Sequence, residues 1–194
     1  MPKFDPDRNS PLNERQRLLR HGFGMSSPGY WAHFVNYRWS LIQDNWASLH
    51  HVLDANEVVP EIQGEDARFY YATRIHYEGI SLVHGARHVV RYCELYERHL
   101  SLSANTLMAH PRYDALADVA DARDMIEHFD EYSVGSGRRK LSPVDGAVVT
   151  FPDQTLGSAT LNVGHIGIHL PPAVDAVAVL AKDLDAIWDS ARQA

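Results

Sequence analysis

GEDARFYYATRIHYEGISLVHGARHVVRYCELYERHL, residues 64–100, reads as one long helix. Its apolar residues Phe69, Ala72, Tyr77, Ile80, Val83, Ala86, Val90 and Cys93 recur at the spacing of a single buried helical face. About 35 helical residues reach roughly 50 Å, so a bend is expected near Gly79 or Gly85. A helix of this length needs antiparallel neighbours, and the sequence on either side supplies them.

Upstream, Ser27 suits an N-cap and Pro28 suits the first helical position, where its missing N–H costs nothing. Trp31, Phe34, Val35, Ile42, Trp46, Leu49 and Leu53 then follow at helical spacing, and Asn56 and Pro60 end the segment. Downstream, Pro111 opens a third helix whose inner face is Leu116, Val119, Ile126, Phe129 and Tyr132. It stops at Gly135-Ser136-Gly137, ahead of Arg138, Arg139 and Lys140; glycine at a helix end with cations beyond it is a sound terminus. The composition then turns β-branched. Ala147 to Phe151 and Ala159 to Leu170 predict a β-hairpin, with a bulge at Gly164 where the apolar parity switches. Pro171-Pro172 opens a last helix with Val177, Leu180, Leu184, Ile187 and Trp188 facing inward.

The expected fold is therefore mainly α, an up-and-down bundle of about four helices with a β-hairpin over residues 147–170 ahead of the last helix. A hairpin alone is not stable in water, so it must pack on the bundle or on a partner. Residues 27–194 read as one domain. Residues 1–26 are polar and proline-containing and read as an N-terminal arm, with a short helix over Glu14 to His21.

Composition bounds the function. The 194 residues carry 18 basic and 25 acidic side chains, for a formal net charge of -7, so coating of nucleic acid by global charge is excluded while a local basic site is not. The single cysteine, Cys93, rules out an internal disulfide framework, and its place in the apolar stripe makes it a small hydrophobe. No apolar run is long enough to span a membrane and no apolar region follows a basic start, so a soluble, cytoplasmic chain without signal peptide is expected. No glycine-rich phosphate loop, nucleophile elbow or cysteine pair is present.

The residues with chemistry lie on the third helix, in Arg123-Asp124-Met125-Ile126-Glu127-His128. Arginine binds phosphate through paired donors, and histidine is the side chain suited to proton transfer near neutral pH. Five helical residues turn about 500°, which leaves Arg123 and His128 about 140° apart in one chain. Two copies across a symmetric dimer can bring the arginine of one to the histidine of the other. Asp124, one turn before His128, is placed to orient the imidazole. The alternative is a solvated face of i,i+4 pairs, Arg123 with Glu127 and Asp124 with His128, among the negative charges of Glu127, Asp130 and Glu131.

In a helical domain, this R-D-x-x-x-H run resembles the motif of the HEPN superfamily. That resemblance implies an up-and-down helical bundle, usually dimeric, with metal-independent ribonuclease activity and a place in toxin–antitoxin or defence systems. It implies Arg123, Asp124 and His128 as the catalytic set and no cofactor. Many HEPN sequences carry an aromatic residue two positions after the histidine; here that position is Asp130, and the tyrosine stands at Tyr132. On this reading Arg138, Arg139 and Lys140 guide the RNA backbone, the partners are RNA, a second copy and a neutralising protein such as an antitoxin.

Two other readings stand beside it. The twelve histidines include His84 and His88 at i,i+4, able to face one metal ion with Glu78 or Glu127 nearby and His76 about 80° round the helix. Alternatively the chain is a non-enzymatic interaction module that uses its hairpin and the dense aromatics Tyr70, Tyr71, Tyr77, Tyr92 and Tyr96.

Overall fold

In a computed structural model the described residues are 27–55, 64–100, 106–128 and 146–193. Among them are four α-helices and one three-stranded antiparallel sheet that precedes the last helix. The helices are α1 (Pro28–Ala55), α2 (Gly64–His99), α3 (Val119–Glu127) and α4 (Leu170–Gln193). The strands are β1 (Ala147–Thr150), β2 (Thr160–Val163) and β3 (Ile166–His169). The mainly helical bundle with a β element before the last helix is the expected fold. The arm over residues 1–26, Phe129, Tyr132, the Gly135-Ser136-Gly137 stop and the cations Arg138, Arg139 and Lys140 lie outside the described residues.

The start of α1 follows its cap: the Ser27 hydroxyl accepts from the Tyr30 N–H at 3.0 Å. Val35 and Ile42 are fully buried, and Trp31, Trp46 and Leu49 pack beside them. At the C-terminal end Val52, not Leu53, turns inward, and Leu53 is exposed. The inner face of α2 also differs from the expected stripe. Ala67, Ile75, Leu82, Val83, Ala86, Val89, Val90, Cys93 and Tyr96 are buried, whereas Phe69 and Tyr77 are 75% and 64% exposed. A helix packed against α1, α3, α4 and the sheet buries more than one stripe, so picking a single face from spacing selected some residues on the wrong side.

The two glycines expected to bend α2 instead admit close neighbours along an unbroken helix. A Cβ at Gly85 would stand 2.8 Å from Phe34 and Val35 of α1. One at Gly79 would strike the Val149 side chain of β1.

The expected hairpin is a three-stranded meander. Strand β2 pairs with β1 and with β3, and the row Val149–Leu161–Ile168 lies buried across all three. The parity switch at Gly164 is a two-residue turn rather than a bulge: Val163 pairs with Ile166, and Gly164 takes φ 58°. Positive φ at the first central residue of a two-residue turn is the place where glycine is favoured. Separating the strands there puts Leu161, Val163, Ile166 and Ile168 on one buried face.

The third helix is divided. Pro111–Leu116 form a 3₁₀ turn, and α3 begins only at Val119. Tyr113 and Leu116 are buried in the 3₁₀ turn, and Val119, Ala122 and Met125 continue the buried face along α3. The turn is fastened to α4, because Tyr113 donates to Asp183 and Arg112 meets the same carboxylate at 3.0 Å. On α4, Ala173, Val174, Val177, Leu180, Ala181 and Leu184 are buried and Ile187 packs at the edge. The side chain of Trp188 is outside the described residues.

Candidate functional site

The packing of α3 on α2 brings together two groups of residues that lie about forty positions apart in the sequence. Arg123 and Glu127 come from α3, and His84 and His88 from α2. Arg123 pairs with Glu127 across one helical turn. The other oxygen of Glu127 lies 3.8 Å from Nδ1 of His84. The carboxylate thus stands between a guanidinium and an imidazole. His88, one turn further along α2, stacks on the indole of Trp31 of α1, with ring centroids 3.9 Å apart and planes within 12°.

The cluster is neither sealed nor fully solvated. The side chains of Arg123, His84 and Glu127 are 36%, 33% and 32% exposed. Burial lowers the pKa of His84 below 6.5; Glu127 opposes that shift and Arg123 adds to it. Burial also lowers His88, and the charges of Arg123, His84, Arg91 and Arg87 act in the same direction. Both imidazoles are therefore held towards the neutral form, the state in which a ring nitrogen can accept a proton.

The expected catalytic set is placed as follows. Arg123 faces α2 through this cluster. His128 sits at the C-cap of α3 with φ −112° and ψ 36°, and its N–H donates to the Asp124 carbonyl at 3.0 Å. The 140° separation assumed a continuing helix; α3 ends at Glu127, so His128 leaves the helical path. The Arg123–Glu127 pair of the solvated-face reading is present.

The residues of the metal reading diverge. Nδ1 of His76 accepts from the Val149 N–H at 3.1 Å and ties β1 to α2. Glu78, 3% exposed, pairs with Arg38 at 2.8 Å and Arg74 at 3.4 Å. Among the described residues, no three His, Cys, Asp or Glu side chains are grouped to hold a metal ion. Nε2 of His169 lies 2.7 Å from the Gly157 carbonyl, and His165 is exposed in the β2–β3 turn. Burial pushes the Cys93 thiol up to about 12, which makes it inert as a nucleophile. Of the five tyrosines expected at an interface or pocket, Tyr92 and Tyr96 are core residues, while Tyr70 and Tyr77 are exposed.

Of the two carboxylates expected near His84 and His88, Glu127 is the one that reaches His84, and Glu78 is held by Arg38 and Arg74 instead. Trp31 was read as core; its stack on His88 places it at the edge of the cluster.

No protein-family model matches the chain, and no characterised protein or solved structure is detectably similar to it. Among the described residues, no helix is long and apolar enough to cross a membrane.

Proposed function

We propose that the chain is a metal-independent endoribonuclease of the HEPN kind that works as a homodimer in the cytoplasm. Arg123 contacts the scissile phosphate, His128 transfers a proton, and Asp124 orients that imidazole. Arg138, Arg139 and Lys140 guide the RNA strand, and a protein partner of antitoxin type holds the activity in check.

One observation supports this reading: the Arg123 side chain is 36% exposed on α3, open to a phosphate, and its Glu127 partner also faces an imidazole of α2. Cleavage through the ribose 2′-hydroxyl calls for a base that accepts a proton near neutral pH and a donor for the charge growing on the phosphoryl oxygens. Imidazole and guanidinium are those two groups. The Glu127 carboxylate on Arg123 is the resting partner, and a phosphate must displace it. The test is cleavage of single-stranded RNA by the full chain in EDTA, repeated with R123A and H128A. Activity in EDTA that both substitutions abolish is the expected result. RNA left intact by the wild type ends the proposal.

A second reading has its own observation. Phe69, Tyr70 and Tyr77 stand exposed on the N-terminal half of α2 and offer aromatic area to a partner. A non-enzymatic interaction module predicts that F69D and Y77D abolish assembly while R123A leaves it unchanged.

A further inference from the structure

The HEPN-like motif supplies a histidine at position 128, yet the imidazole gathered with Arg123 and Glu127 belongs to another helix. We propose that His84 of α2 is the general base of the RNA-cleaving site, with Glu127 as the positioning carboxylate that holds it in the same protomer as Arg123. This rests on the reading of Arg123 as the phosphate contact.

The geometry of the ring carries the argument. Glu127 approaches His84 on its Nδ1 side, at 3.8 Å. At this separation the carboxylate acts on the ring through its charge rather than a hydrogen bond; it favours a proton on the near nitrogen, Nδ1, and leaves Nε2, across the ring, to accept. This is the form a general base needs.

Glu127 also links the base to substrate binding. In the resting protein its carboxylate serves Arg123 as well as His84. A phosphodiester and a carboxylate compete for the same guanidinium fork. When phosphate takes Arg123, the charge of Glu127 is left facing His84, where it stabilises the imidazolium that forms as the proton arrives. His84 is thus a stronger base with substrate bound than without it. The other charged groups acting on this part of α2 are Arg87 and Arg91, and Arg87 is engaged by Glu94 at 2.7 Å.

The chemical step then balances. The ribose 2′-hydroxyl gives its proton to Nε2 of His84, and the 2′-oxygen forms a bond to phosphorus. The bond from phosphorus to the 5′-oxygen breaks, and that oxygen takes a proton from the imidazolium of His128, the acid of the pair. The products are a 2′,3′-cyclic phosphate and a 5′-hydroxyl. His84 returns its proton to solvent and His128 regains one.

The experiment measures kcat, KM and the pH dependence of kcat/KM for a single-stranded RNA oligonucleotide in EDTA, using the full chain and H84Q, E127Q and H128Q. H84Q is expected to lower kcat by about 100-fold or more with KM changed by about twofold at most. In E127Q the acid limb of kcat/KM moves to lower pH, because the charge that favours the His84 imidazolium is gone. A merely structural Glu127 would not shift that limb. A limb that stays in place in E127Q overturns the assignment whatever the H84Q rate, so it remains decidable if H84Q fails to fold. H84Q that cleaves at the wild-type rate overturns it too and leaves the nuclease reading standing. A wild type that does not cleave overturns both.

Discussion

His76 and His84 lie about two turns apart on α2, and burial lowers the pKa of both, but their surroundings differ in kind. The nitrogen of His76 is occupied by a backbone amide of β1, a partner that cannot ionise and that leaves only if β1 lifts from α2. His84 faces the carboxylate of Glu127, which Arg123 already shares. One imidazole is a building element and the other is part of a charged group with exchangeable partners. Depressed basicity alone does not tell the two histidines apart; the nature of the partner does.

This contrast can be broken from the structural side first. Leu161→Ala empties the centre of the buried row Val149–Leu161–Ile168 and is expected to cost about 2–5 kcal/mol in denaturant unfolding. Gly79→Ala forces Val149 aside and should cost about 1–3 kcal/mol, with hydrogen exchange quickening in β1 before the α1–α2 pair. His76→Leu strands the Val149 N–H, for a loss of about 1–3 kcal/mol, and His76→Asn, which keeps an acceptor near the same place, recovers part of it. His84→Gln should leave the melting temperature nearly unchanged, which sets the two histidines apart in one assay.

Acid sharpens the same comparison. Because the folded pKa values of His76, His84 and His88 lie below 6.5, the unfolded chain binds more protons just under that value. Their contribution to stability is complete above about pH 6.5 and is lost as the pH falls through the lower folded values. Urea midpoints should fall from about pH 7 towards about pH 5, and His76→Asn should flatten part of that fall. The smallest effect concerns charge alone. Arg123→Gln removes a cation that disfavours protonation, so the NMR titrations of His84 and His88 should move to higher pH while His76 stays in place.

Much of the fold was legible because it rests on local physics. The Ser27-Pro28 start, the helical periods and the β-branched stretch before Pro171 each act over a few residues. What escaped depends on neighbours. The exposed Phe69 and Tyr77 fit a helical stripe, and only the packing of several elements around α2 shows which stripes are covered. The division of the third helix left no mark in the spacing, because Tyr113, Leu116, Val119, Ala122 and Met125 recur every three residues through both the 3₁₀ turn and α3. At the site, Arg123 with Glu127 was legible as an i,i+4 pair, and His84 with His88 as another. That the two pairs meet depends on how α3 lies on α2, which neither segment encodes by itself.

The chemistry of the cut ends tests the nuclease reading most directly. An RNA oligonucleotide and a copy with one 2′-deoxy nucleotide at the cleaved position are incubated with the full chain in EDTA, and the products are weighed by mass spectrometry. Attack by the 2′-hydroxyl predicts 2′,3′-cyclic phosphate and 5′-hydroxyl ends from the first and no cut at the substituted position in the second. Intact RNA, or fragments that begin with a 5′-phosphate, would contradict it.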